Sequence, residues 1–560
     1  MKNHGINLFL TLFMTFGGTV IADDNLIGHW PLTDDGQDVS GNGMHAVVHG
    51  VHFSASDRSG QRTSAVFDGR TAWLEVPAND RLNTGSNDFT VSAWVHTDAA
   101  LDDVPGDILS QYDSESRRGF HLAVKTNAGV TFSQANNRQL QFGIDQNRAQ
   151  EGWTDRGRPG NAVLAFALCT FDGNLYAGTC EPGVNESGHV YRYAGEEQWT
   201  DCGSPDASNA VTSLAVHDGK LYAGTGKYRL GGSALAESEN NTLGGSVFRY
   251  DGHSRWIDCG GLPDAEAIGG LVVFRGKLYA SSLYRPAGFF RYDGGQTWQD
   301  CGSPRRPDDA PGETTHMRME ALGVYNGWLY ATSYDGGRVF RFDGQQWFDC
   351  GQLGDNTQTY AFAVRAGRLF VGTWRSGRVY RFEGPHHWTD VGRLGEELEV
   401  MGMLNHNGRL IAGTLPMADV YEFDGRSSWK QLTRLDHTPD VRYRRAWTMA
   451  EYNGHVFCST LPSGRIYSWR AGRIAMADRT LPSGWHHVAA VRSNGSLKIF
   501  LDGKLAASEL GFDAADYDLS NNHPLQIGAG PNDYFTGRLS DIKLYRGALT
   551  AADILIQAKH

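Results

Sequence analysis

Apolar and polar positions alternate with a period of two in short runs along almost the whole chain, as in HVYRYAG, RVFRFDG and FTVSAWVH. An amphipathic helix needs apolar residues every three to four positions over several turns, and such stretches are nearly absent. Gly, Asp and Asn close each run. The pattern predicts short half-buried strands joined by tight turns, and therefore an all-β chain.

One unit recurs: an apolar run, a turn ending in Gly, then a strand of the type Leu-Tyr-Ala-Gly-Thr. Its turn glycines are Gly173, Gly219, Gly276, Gly327, Gly367, Gly408 and Gly454, spaced 40 to 57 residues apart. A third strand follows in each copy, from HVYRYAG to RIYSWRAG. A fourth begins at Trp199, Trp256, Trp298, Trp347, Trp388 and Trp429 with Trp-x-Asp-x-Gly or a relic of it. Seven such repeats predict a seven-bladed β-propeller. The last repeat has no Trp strand after Trp469, whereas EGWTDRG (151–157) precedes the first. That segment is expected to complete the last blade as its outer strand, because closure removes the free edges. It also brings residues 151 and 470 together.

The flanking segments follow a different pattern. LIGHWPL (26–32), DVSGNGMHAVV (38–48), AVFDGRTAWLEV (65–76) and FTVSAWVH (89–96) resemble the first half of a LamG-type (concanavalin A-like) jelly roll. GWHHVAAVRSNGSLKIFLDGKLAAS (484–508) and LQIGAGPNDYFTGRLSDIKLYRGALTAADI (525–554) resemble its second half. The resemblance implies that the propeller is inserted into a loop of the sandwich. The expected division is 1–22 signal peptide, 23–147 first jelly-roll half, 148–472 propeller and 473–560 second half. A ring with adjacent ends can enter a loop without disturbing its host. The two domains are then expected to hold a constrained orientation and to present one polysaccharide to both.

Charge and cysteines narrow the functional classes. The net charge of −12 argues against a nucleic-acid partner. Lys2, the apolar run 6–21 and Ala22 read as a cleaved signal peptide, so a secreted or periplasmic protein without a membrane span is expected. Cys202, Cys259, Cys301 and Cys350 share one repeat position in different blades, too far apart to bridge. Whether Cys169, Cys180 and Cys458 include a disulfide is open at this level, as is the oligomeric state.

Loops that follow the second strands share one mouth of the ring with the starts of the innermost strands. Aromatic-Arg pairs recur there at Tyr228-Arg229, Tyr284-Arg285 and Trp374-Arg375, beside Tyr334. The strand starts add His316, Arg318, Glu320, Tyr360 and the run Tyr443-Arg444-Arg445. Aromatic faces stack on sugar rings and Arg forks grip carboxylate or sulfate, so the expected ligand is an anionic polysaccharide. His217 and His406 occupy a structural slot two residues before the turn Gly.

The propeller also resembles, loosely, polysaccharide lyases of the ulvan-lyase type, although no catalytic motif of that family aligns residue by residue. This resemblance implies β-elimination on a uronate. Arg318 or Arg375 would neutralise the carboxylate, and His316, Tyr334 or Tyr360 would serve as base or acid. A sialidase-like hydrolase is a weaker reading, since nothing pairs Glu320 with Glu399 and the Asp-box is echoed only at DGGQTW (293–298). A non-catalytic binder of glycans or proteins is the alternative from another class. LamG-type domains imply Ca²⁺, for which Asp38, beside Asn42, and Asp541 are the acidic candidates.

Overall fold

The computed structural model describes residues 25–60, 63–148, 152–305 and 316–559. The expected signal peptide and Glu151 lie outside these residues. Among them strands dominate, and the one α-helix is Ala551–Gln557, started by a capping box of Thr550 and Asp553.

Seven blades surround an axis. Their innermost strands are Leu164–Phe171, Ala210–His217, Ile268–Phe274, Met319–Tyr325, Gln358–Arg365, Glu399–His406 and Arg445–Tyr452. Each packs on the next, and the first packs on the last. A two-residue turn joins every innermost strand to the second strand. Both of its residues have positive φ, from Asp172-Gly173 to Asn453-Gly454. That is type I′ geometry, whose twist matches the strands, and it explains the recurrent Gly. Thr154–Asp155 pairs with Ser468 and Tyr467 as the outermost strand of blade 7. The closing strand therefore comes from the opposite end of the propeller segment.

The Trp strand has a physical role. In five of the six Trp strands the indole N–H donates to a carbonyl of the preceding blade, at the third residue after that blade's own Trp, whereas the buried Trp347 N–H has no partner. Trp256 reaches Cys202, Trp298 reaches Cys259, Trp388 reaches Cys350 and Trp429 reaches Val391, at 2.8–3.0 Å. Trp199 reaches Arg156 of the closing strand at 2.8 Å. The Asp between them accepts the N–H of a positive-φ glycine, as Asp258 does from Gly260 at 2.7 Å. All seven cysteines are free thiols, Cys169, Cys180 and Cys458 included.

The flanks form a two-sheet sandwich around Trp30, Phe89, Phe120, Phe142 and Ile542. In one sheet Ser133–Gln146 and Arg473–Thr480 are hydrogen-bonded neighbours, with Ile144 opposite Arg473. The entire ring lies between these two strands in the chain.

One host hairpin does more than join the sheet. Arg118–Val130 and Ser133–Gln146 are far longer than an ordinary strand of five to six residues. Their outer part leaves the sandwich and enters the ring, where the hairpin packs against all seven innermost strands. At its tip Phe132, 2% exposed, lies against Phe166 and Trp447, with ring centroids 5.0 and 6.3 Å away. The Thr131 hydroxyl donates to the Trp447 carbonyl and the Thr448 hydroxyl to the Val130 carbonyl. The hairpin is a plug in the axial channel.

Below the tip, its polar side chains meet those of the ring. Buried Glu451 accepts from Lys125 (2.9 Å), Asn127 (2.9 Å), Gln141 (3.0 Å) and His406 (2.8 Å). Burial alone would push this carboxyl up, but Lys125 and His406 hold it well below the ordinary range. His406 thus serves packing between the domains.

The type I′ turns rest on the jelly roll. Gly173 N–H donates to the Asp478 carbonyl, Asn326 N–H to Asp103, and Ala366 N–H to the Pro531 carbonyl. The innermost strands run from the mouth down to these turns. The mouth consequently faces away from the jelly roll, and the expected presentation of one polysaccharide to both domains is corrected on that ground.

Candidate functional site: an aromatic cup at the mouth of the ring

A cavity of about 450 Å³ sits at the mouth. It brings together Tyr228, Arg229, Tyr284, Arg318, Tyr334, Tyr360, Trp374, Tyr443 and Arg445 from among the residues expected there. Four others stand outside it. The Arg375 side chain is exposed, and Arg444 donates to the Thr438 carbonyl. Arg285 reaches the His316 carbonyl and Asp335, and half-buried His316 does not line the cavity.

Gln358, Met401 and Trp447 also line the cup and were not expected in it, and Glu399, expected only as a carboxylate of the hydrolase reading, lines it too. A sequence signal for them exists. Arg318 and Glu320, Gln358 and Tyr360, Glu399 and Met401, and Arg445 and Trp447 each lie two residues apart at or beside the start of an innermost strand. Side chains two apart share one face of a strand, here the face toward the axis. Phe166, Tyr228 and Trp447 close the bottom in edge-on contacts, on top of the Phe132 plug.

The arginines are not free to take up an external anion. Arg445 donates to Glu399 at 3.1 Å and to the Ser233 hydroxyl at 2.6 Å. Arg318 binds Asp335 at 2.8 Å through a guanidinium that also lies 5.3 Å above the Tyr334 ring. Arg229 pairs with Glu266 and lies over Tyr284. Each partner carboxylate arises from a different part of the chain, so the gathering of cations is matched by a gathering of anions. This corrects the reading of the inner arginines as an open anion site.

The phenols also bear on chemistry. Burial pushes Tyr334 and Tyr360 well above their ordinary range, and the charges of Glu320 and Glu399 add to it. Both hydroxyls stay protonated at neutral pH, and the Tyr360 hydroxyl donates to Gln358. A protonated phenol is a hydrogen-bond donor and a poor base. Glu320, fully buried beneath the cup, has no hydrogen-bond partner on either oxygen. Burial, then the neighbouring Glu399, pushes it well up. The two carboxyls are thus close enough to interact, a proximity that the sequence spacing does not reveal.

In the jelly roll, Asp38 accepts N–H groups of His29, Ser40 and Met44 and the Ser40 hydroxyl. Asp541 is held by His29 at 2.7 Å and Lys543 at 2.7 Å. Carboxylates surrounded by N–H donors and an ammonium do not suit a calcium ion, which needs oxygen ligands. Among the described residues no group of three or more His, Cys, Asp or Glu side chains could hold a metal. Nor is any described helix long and apolar enough to cross a membrane.

Residues 437–555 match the family model of the concanavalin A-like lectin/glucanases superfamily. The matched span begins inside the propeller and runs over blade 7 before reaching the second jelly-roll half. A virginiamycin B lyase of Staphylococcus aureus, solved with quinupristin, is similar at 9% identity and TM-score 0.41, over 56% of this chain and 97% of its own. YCF48 bound to a D1 peptide is similar at 14% identity and TM-score 0.39, over 58% and 98%. Sqt1 of Saccharomyces cerevisiae is similar at 10% identity and TM-score 0.34, over 60% and 100%. No curated protein matches the chain.

Proposed function

We propose that the protein is an exported carbohydrate-recognition protein whose propeller mouth binds a saccharide chain. The cup carries this reading: Tyr228, Tyr284, Tyr334, Tyr360, Tyr443, Trp374 and Trp447 surround about 450 Å³. Aromatic faces stack on the apolar faces of sugar rings, and the ion-paired Arg–Glu and Arg–Asp sets offer fixed donors and acceptors to hydroxyls. The LamG-type match supports the same class of ligand. An anionic polymer would find its open charge at the rim, on Arg375, and not on the inner arginines. Cleavage by β-elimination has less support, because His316 lies outside the cup and the buried phenols of Tyr334 and Tyr360 suit the acid role and not the base role.

The test is retention in affinity gels containing neutral, uronate or sulfated polysaccharides, for the parent and for Trp374→Ala and Tyr443→Ala. Retardation of the parent that both variants lose, without products, is the expected result. A conjugated uronate absorbing in the ultraviolet would replace this reading with β-elimination. New reducing ends without that absorbance would replace it with hydrolysis.

A further inference from the structure

A second cavity, of about 510 Å³, opens where the two domains meet. Its walls come from jelly-roll loops around Leu101 and Leu481, from the side of the plug hairpin, and from the turns of blades 2 and 3. Much of the lining is aliphatic, and three cations line it: Arg138 of the hairpin, and Arg275 and Lys277 of blade 3. The Arg275 guanidinium is turned to the carbonyls of Asp343 and Gly327.

These cations differ from those of the cup. Neither Arg138 nor Lys277 is ion-paired among the described residues, and the charge of Asp98 reaches Arg138 without forming a pair. The Arg138 guanidinium donates to the Asp98 carbonyl at 3.1 Å and to the Thr97 hydroxyl, and its buried Nε has no partner. Carbonyl and hydroxyl acceptors leave the positive charge uncompensated. Burial pushes this group down to about 10, so it remains a cation at neutral pH. Exposed Lys277 stands at the opening. The opposing charges are few. Asp218 is exposed beside His217, and Asp103 is pushed up to about 7 by burial.

An independent observation points to a ligand. Gln134 is 2% exposed, lines the cavity, and has no partner for its amide oxygen. An unmet buried acceptor is unfavourable unless a donor arrives. Sugar hydroxyls are such donors, Asn137 beside it adds a second amide, and the aliphatic wall suits a ring face. Cavities at domain junctions are common ligand sites.

We propose that this joint cavity binds an acidic saccharide unit, its carboxylate on Arg138 and Lys277 and its hydroxyls on Gln134 and Asn137. The proposal rests on the glycan reading above only for the choice of a sugar.

The test is calorimetric titration of the full chain with glucuronate, and with glucose and propionate for comparison. Glucuronate should bind more tightly than either. Lys277→Ala and Arg138→Gln should each weaken it about tenfold, the loss of one charge-assisted contact. Lys277 is exposed, so its variant does not depend on the packing of the joint. Absence of glucuronate binding, equal binding of propionate, or insensitivity to Lys277→Ala would overturn the proposal. Loss of glucuronate binding in Trp374→Ala would assign the ligand to the cup instead. If polysaccharide retention fails while this titration succeeds, the cup reading falls and the joint site stands.

Discussion

The cup and the joint cavity are of similar size, about 450 and 510 Å³, and both present arginine to solvent. They differ in what the arginines face. In the cup each guanidinium is fastened to a carboxylate and laid near an aromatic ring, so charge becomes rigid architecture. In the joint Arg138 is fastened to a carbonyl and a hydroxyl, so geometry is fixed while charge is left over. An aromatic, charge-balanced cup suits a chain of sugar rings, and an aliphatic cavity with spare cations suits one acidic unit. The number of arginines at a site therefore says little until their partners are known.

The largest expected effect would break the comparison by damaging what both regions share. Phe132→Ala removes a buried ring from the tip of the plug and should cost about 3–5 kcal/mol in chemical denaturation. Saccharide retention at the cup should fall with it, since Trp447 and Phe166 lose their support.

The joint alone is addressed by pH. Burial pushes Asp103 and Asp478 up to about 7 and Asp107 up to about 6, all at or near the junction. A carboxyl with a raised folded-state pKa stabilises fully below the unfolded value. That contribution is lost as pH rises through the folded value. Buried His121 and His487 and half-buried His455, pushed down to about 4, act in the opposite direction between about 4 and 6.5. Comparison of two variants cancels them. The urea midpoint of Asp103→Asn should rise relative to the parent between pH 5 and pH 8, and a constant difference would refute the assignment.

The cup alone is addressed by Trp374→Ala, which should weaken saccharide binding about three- to tenfold by loss of stacking. Smallest of all, Trp256→Phe removes the hydrogen bond to the Cys202 carbonyl and should cost about 1 kcal/mol without changing either site.

Much of this organisation is legible in the amino-acid order. The turn glycines mark seven type I′ turns because no other residue enters the left-handed region so easily. The displaced EGWTDRG segment announces the closing strand, since a Trp-x-Asp-x-Gly unit has one place in a blade. Many of the cup's aromatics are legible from the repeat register. The ion pairs are not, because Glu266, Asp335 and Glu399 reach their arginines by folding and not by any spacing. The plug is hidden for another reason. Lys125, Asn127, Gln134, Asn136 and Gln141 carry no apolar signal that would mark them as interior, yet all are buried. Polar residues go inside when partners await them, and here most of the partners lie more than 200 residues away.

The plug also binds the two domains into one unit. Its hairpin precedes the ring in the chain, while Arg473–Thr480, the strand that completes its sheet, follows the ring. Its sheet joins two strands that have all seven blades between them in the chain, and those blades surround the hairpin. It serves as an axle: the ring sits on a spindle that belongs to its host, and each domain shares core with the other.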